Sequence, residues 1–319
     1  MNLSRHRTGQ ALAVASALVW SLTSPGLKFL LTEGAHPLAL AFWRDAIIAL
    51  ACVSGLVLFR PGILKVAPRD LIGLAATGAI SIGIYHALWV WSIALNGAAV
   101  AVVLIYLFPT FVSIGSWLLF REPLRWTQIV ALVVSLLGCA LLVRIYDQAI
   151  FQVSWLGALV GLLTALTHTV YVLYSQRSVQ TRSPWTSLTY TMLFGALTLL
   201  VLLVASVGWN VMINSPEPLQ VFHVGSDWLP WLVLVFLSLG PTLGGYGIFT
   251  AALRFIPGRV ASLIVVVEAP ISSLIAVWLV GEHLEWPQII GMLLILSAIG
   301  LPSVLDRIGA SRAVVEAAL

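Results

Sequence analysis

Residues 120–129 read FREPLRWTQI and residues 280–289 read VGEHLEWPQI. Both contain Glu-x-Leu-x-Trp-x-Gln-Ile. Only the first copy is flanked by arginines, Arg121 and Arg125, where the second has Gly281 and Glu285. Extended without a gap, 100–141 against 260–301, the pairing gives eleven identities in forty-two positions. Matched Leu and Val mean little in an apolar chain, but Glu122/Glu282, Trp126/Trp286 and Gln128/Gln288 are rarer types at one spacing. Further back, Pro37 corresponds to Pro184, Asp70 to Asp227 and Gly83 to Gly240. The chain reads as an internal duplication.

Composition says where such a duplication would live. Of 319 residues, 60% are apolar and only 9% charged, with 13 Trp, against about 25% charged in an ordinary soluble domain. A bilayer is the matching solvent. The net charge of +4 comes from Lys and Arg placed singly between apolar runs. That is no basic stripe for nucleic acid. Cys52 and Cys139 lie inside apolar runs without a C-x-x-C or Cys/His pairing, so neither a disulfide framework nor a zinc site is expected.

A hydrocarbon core of about 30 Å takes about 20 helical residues. Runs of that length fall near 10–31, 37–59, 71–95, 98–120, 125–143, 155–175, 185–208, 229–252, 260–281 and 285–305. This predicts an all-α membrane protein of ten transmembrane helices. Arg5 and Arg7 before the first run resemble the start of a signal sequence, but aligning Gly9 with Gly157 superposes Ala17-Leu18 on Ala165-Leu166, which favours a retained helix. Thirteen Lys or Arg fall on one side of the spans and only Arg144 on the other, with Lys28 and Arg44 inside spans. By the positive-inside rule both termini are cytoplasmic and the loop at about 209–228 is external.

The halves divide as 1–144 and 145–319, the latter comprising 145–208, the external loop and the rest of 209–319. Five spans per half is an odd number, so the second half enters the membrane inverted. The missing arginines of the second motif fit this: the first copy is cytoplasmic and the second external. Inverted repeats are common in secondary transporters, with substrate near the midplane at the repeat interface.

Two five-span halves, each with a late Pro and then a Glu at a loop, resemble the drug/metabolite transporter superfamily and its EamA-type ten-helix exporters. The carrying residues are Pro109 to Glu122, and VVEAPISSLIAVWLVGEHLEWPQIIG at 266–291. One departure is visible, Ala269 between Glu268 and Pro270, which bears on the bend in span 9. Within that family, the aromatic content and VWS at 19–21 look most like exporters of aromatic and neutral amino acids. The resemblance implies an inner-membrane transporter.

Candidate site residues follow from helical spacing. Trp20, Thr23 and Ser24 share a face of span 1. Tyr85, Trp89 and Ser92 share one of span 3, beside His86. His168, Tyr171 and Tyr174 or Ser175 form a third stripe, and Tyr246 marks span 8. Aromatic stripes also serve plain packing, but three on spans facing one cavity suit an amphipathic ligand. Breaks or hinges are expected at Pro109 and Pro270, and at Gly240, Pro241, Gly244 and Gly245, with Gly78, Gly83 and Pro25-Gly26 as further weak points. Small residues also let helices pack closely.

Glu268 reads as the one acid deep in a span, either a coupling group or a hydrogen-bond acceptor. Arg44 and Asp45 diverge around their helix, so no mutual salt bridge is expected and both read as structural. Glu122 and Glu282 lie at opposite membrane faces and cannot form a catalytic pair; each reads as a holder of its loop, with Trp126 and Trp286 at the interface.

The resulting expectation is a secondary transporter exporting small metabolites, aromatic or other neutral amino acids first, by alternating access. The partners are a small-molecule substrate and the lipid bilayer; the oligomeric state stays open, a monomer included, because the chain already holds both halves. A broad drug or other metabolite exporter, or a non-transporting scaffold, stays open. No H-E-x-x-H, G-x-S-x-G or P-loop pattern occurs, so no enzyme, ATPase or cofactor is expected.

Overall fold

The computed structural model describes residues 3–147, 154–212, 219, 222–225, 227–280 and 283–318. Glu282 and most of the expected external loop lie outside these. The described chain is helical. In order it runs α1 (Leu3–Trp20), α2 (Thr23–Thr32), α3 (Pro37–Phe59), α4 (Pro68–Gly78), α5 (Tyr85–Ile105), α6 (Phe108–Phe120), α7 (Trp126–Leu142), α8 (Trp155–Thr181), α9 (Pro184–Met212), α10 (Trp228–Leu237), α11 (Gly245–Ala252), α12 (Gly258–Val265), α13 (Glu268–Val280) and α14 (Trp286–Ala318). Among the described residues, eight stretches are long and apolar enough to cross a membrane, and two shorter apolar helices, Trp126–Leu142 and Trp286–Pro302, fall at the fifth and tenth expected spans. Seventeen residues make a helix of about 25 Å, the short end of what a bilayer core accepts. The chain is an integral membrane protein.

Local chemistry sets the element ends. Pro37, Pro68 and Pro184 open α3, α4 and α9, where the missing N–H costs nothing. Ser154 caps α8 by accepting from Gly157 N at 3.0 Å. The recurring Gln of the duplicated motif has the same kind of task. Gln288 Oε1 accepts from Glu285 N at 3.0 Å and Gln128 Oε1 from Arg125 N at 3.5 Å, each reaching back to the residue that starts its helix. Trp126 and Trp286 are the first residues of those helices and are largely exposed.

Three breaks divide otherwise long helices. They fall at Ser21-Leu22, Tyr106-Leu107 and Val266-Val267, each shortly before a proline: Pro25, Pro109 and Pro270. Proline lacks the N–H and collides with the carbonyl four residues back, which ends the preceding helix. The break before Glu268 therefore forms despite Ala269. Two π-helical segments, Ala79–Ile84 and Ser238–Gly244, join α4 to α5 and α10 to α11. Pro241 sits inside the second.

One expectation is corrected. A gap was expected at 96–97, yet α5 carries helical backbone through it. The reversal still occurs there, because Gly73 abuts Tyr174, Asn96 abuts Gly157 and Gly115 abuts Leu173, so the chain runs out along α8 and returns. Helix α8, the counterpart of span 1 in the duplication, is unbroken over 27 residues.

Helices α7 and α14 pack through facing glycines. A Cβ on Gly138 would lie 2.7 Å from Gly291 O, and one on Gly291 2.5 Å from Gly138 O. Only hydrogen fits there. The loops rich in arginine gather at one end of the bundle. There Thr186 and Tyr190 donate to the carbonyls of Ile63 and Leu64, Arg182 pairs with Asp70 at 2.9 Å, and Arg254 Nε donates to Val179 O. At the other end His36 N donates to His223 O, and Arg144 and Tyr146 both engage the Glu285 carboxylate.

Candidate functional site

The helix breaks and π segments surround a cavity of about 130 Å³. Trp20, Thr23 and Ser24 reach it from α1 and α2, which meet at the first break. Tyr85, His86 and Trp89 follow the first π segment. His168 comes from α8, Thr242 from the second π segment, Tyr246 from α11, and Glu268 from the start of α13. Nine of the residues singled out by spacing thus face one space. Tyr171 does not line it. It stands behind His168, 6.2 Å between ring centres, and against Tyr246, 5.0 Å and edge-on, with its hydroxyl 2.7 Å from Thr250 Oγ1.

The rings form a continuous wall. Trp20 meets Tyr246 edge-on at 5.1 Å, Tyr85 lies 4.8 Å from His168, and Phe108 meets His168 edge-on at 4.7 Å. These are favoured aromatic geometries. Trp20 can sit so deep because position 245 is glycine: a Cβ there would lie 2.3 Å from the indole. Gly245 is therefore a seat for Trp20. Gly240 and Gly244 differ, with nothing nearer than 3.7 Å around an added Cβ.

Among the described residues, several polar atoms between the rings have no hydrogen-bond partner. His168 Nδ1, Thr23 Oγ1, Thr242 Oγ1 and Arg44 Nε are all buried and without a hydrogen bond. Buried polar groups are normally satisfied by protein or water, so these four atoms mark the polar part of the wall. Glu268 occupies the first turn of α13, where the positive end of the helix dipole favours a carboxylate.

The first half of span 2 departs from expectation. Arg44, read as structural, lines the cavity. Arg44 Nε lies 3.7 Å from Asp45 Oδ1, because the long side chain curls back across the helix step that separates the two. Asp45 is fully buried, so Glu268 is not the sole deep acid. Its Oδ2 meets His86 Nδ1 at 2.7 Å, which ties His86 to α3 as well as to the cavity. Tyr106 and Phe108 also line the space. Their signal was available: Phe108 is the partner of Glu268 in the gap-free pairing, and Tyr106 begins the break before Pro109.

The cavity is closed on one side. Toward the arginine-rich end a core including Val112, Val172, Phe249, Ile256 and Ile264 fills the bundle. Beyond it Glu122 accepts from Gln176 at 3.1 Å and pairs with Arg259 at 3.1 Å, while Gln176 Oε1 accepts from Gly258 N. In the other direction a second, mostly apolar space of about 150 Å³ shares Leu27, Arg44, His86 and Trp89 and extends to Leu31, Pro37 and Ile93.

Comparison with known proteins gives the class. The model of the EamA-like transporter family matches residues 7–144 and 155–303. The chain belongs to that family, within the drug/metabolite transporter superfamily, and is a membrane transporter. It is 25% identical over 295 residues to an uncharacterized transporter of Archaeoglobus fulgidus, covering 92% of this chain and 95% of that one. It is 27% identical over 281 residues to the uncharacterized transporter YdfC of Bacillus subtilis, covering 87% and 86%. A solved crystal structure superposes with a TM-score of 0.75 at 18% identity, over 95% of this chain and 99% of its own. At that identity it speaks to the fold alone.

Proposed function

We propose that this transporter is a secondary exporter of small metabolites, with aromatic and other neutral amino acids as its substrates, working by alternating access. One observation carries the reading: the cavity lies between the two family-matched segments and takes its wall from both, Trp20, Tyr85 and His86 from one, His168, Tyr246 and Glu268 from the other. A site shared by two bodies changes its exposure when they rock against each other. Rings in contact with unpartnered hydroxyl, imidazole and carboxyl groups suit a solute with one apolar and one polar end.

In this reading the two segments are inverted five-helix repeats of a ten-helix protein, with both termini cytoplasmic. The paired breaks at Tyr106-Leu107 and Val266-Val267 support it, as do the equivalent caps from Gln128 and Gln288. Pro109, Pro270 and the Gly240-Pro241 to Gly244 segment are the flexing points. The arginine-rich end is the cytoplasmic one, so the closed core faces the cytoplasm. The cavity, at about 130 Å³, is below the roughly 300 Å³ of common small-molecule sites, and its walls part to admit an aromatic amino acid.

The test is flux. Purified full-length protein in liposomes loaded with labelled Phe, Trp, Met or Thr is expected to release label faster than empty vesicles do. No flux of any amino acid, with flux of apolar drugs instead, would select the broad drug-export reading.

A further inference from the structure

Arg44 is 6% exposed and lines the cavity. Among the described residues its recorded partner is Asp45 alone, at 3.7 Å, beyond a hydrogen bond. Asp45 is at the same time held by His86 at 2.7 Å. A buried guanidinium without hydrogen bonds is costly, and its planar fork of donors matches a carboxylate bidentately. Glu268, from a different helix, lines the same cavity and has no recorded hydrogen bond or ion pair among the described residues. Tyr85 lines the same cavity as both. The cavity therefore carries a donor fork, a free carboxylate and a wall of rings.

We propose that this cavity is a zwitterion site in which Arg44 takes the ligand's carboxylate, Glu268 takes its ammonium group, and the rings of Trp20, Tyr85, His168 and Tyr246 take its side chain. The assignment rests on the amino-acid reading and makes it specific. A purely cationic drug would leave the Arg44 fork unmet. A purely anionic ligand would leave Glu268 facing like charge. A zwitterion meets both, and a site built to bond a polar group rejects the analogue that lacks it.

Three indoles separate these cases: tryptophan, tryptamine, which lacks the carboxylate, and indole-3-propionate, which lacks the ammonium group. In proteoliposomes, each analogue is expected to compete with labelled tryptophan at least about tenfold less well than tryptophan itself, one factor of ten being about 1.4 kcal/mol. Arg44→Gln should erase the preference over tryptamine while leaving indole-3-propionate weak. Glu268→Gln should erase the preference over indole-3-propionate alone. The site is overturned if both analogues compete as well as tryptophan, or if the variants elute as monodisperse protein and keep the wild-type order. The wild-type comparison needs no variant, so a misfolded Arg44→Gln leaves it decisive. If no amino acid is transported, the transport reading fails by itself; thermal-shift titration of the solubilised protein with the same indoles then judges the site separately, and it stands only if tryptophan alone stabilises.

Discussion

Asp45 on α3 and His86 on α5 meet at 2.7 Å with both side chains almost fully buried. The contact fixes the first turn after the π segment against its neighbour and so orients Tyr85 and Trp89 toward the cavity. Removing one partner of a buried, hydrogen-bonded pair leaves the other uncompensated, at a cost of about 3 kcal/mol. Asp45→Ala is expected to lower the melting temperature in detergent by several degrees, with His86→Ala smaller in effect. A cycle of both single variants and the double measures their coupling, which should be well above the scatter of additive sites.

Gly245→Ala places a methyl group where the Trp20 indole lies. Overpacking of this kind costs about 1–3 kcal/mol. The expected outcome is a displaced Trp20, seen as a changed tryptophan emission, and a rise of roughly tenfold in the half-saturating concentration for an aromatic substrate. Gly240→Ala, where space is open, should leave the emission close to wild type.

Gly138→Leu or Gly291→Leu separates α7 from α14, because each Cβ would meet the other helix's carbonyl below 3 Å. Both variants should lose about 1–3 kcal/mol of stability, read by thermal denaturation. The pair combined should cost less than the sum, since one separation serves both.

The partly buried pair of Glu122 and Arg259 lies at the arginine-rich end. Charge reversal at one partner, Glu122→Arg, should speed labelling of a cysteine placed at Val265 by a cytoplasmic-side thiol reagent. Restoring opposite charges with Arg259→Glu should slow it again. Equal labelling in all three would remove the pair from any closing role.

Orientation has its own measurement. Cys52 and Cys139 are buried, so a serine-substituted background offers few competing thiols. Lys65→Cys, in an exposed loop of the arginine-rich end, should react with a membrane-impermeant thiol reagent only after the cells are opened. Tyr146→Cys, at the opposite end, should react in intact cells.

Much of the site was legible because helical spacing fixes which residues share a face. Trp20 with Thr23, and Tyr85 with Trp89, follow from it directly. Prolines 25, 109 and 270 mark the breaks for the simple reason that each lacks an N–H. Spacing does not fix how far a helix is rotated against its neighbours, and that is where Tyr171 and Arg44 escaped. Tyr171 belongs to the His168 stripe but sits one ring behind it. Arg44 reads as structural beside Asp45, whereas it lines the cavity while His86 holds the other carboxylate oxygen of Asp45. The π segments were likewise hidden: Gly83 and Gly240 mark weak points, but a widened turn depends on tertiary contacts that no local pattern contains.

Helix α8 carries His168 in the cavity wall and Gln176 at the Glu122 and Gly258 contacts, on one uninterrupted helix. Eight residues of α-helix separate them by about 12 Å. A rod of that length has no joint in which to absorb displacement. Any tilt that makes room beside the imidazole must also drag the glutamine across its two partners, so α8 works as a lever with occupancy of the pocket at one arm and the fastening at the arginine-rich end at the other.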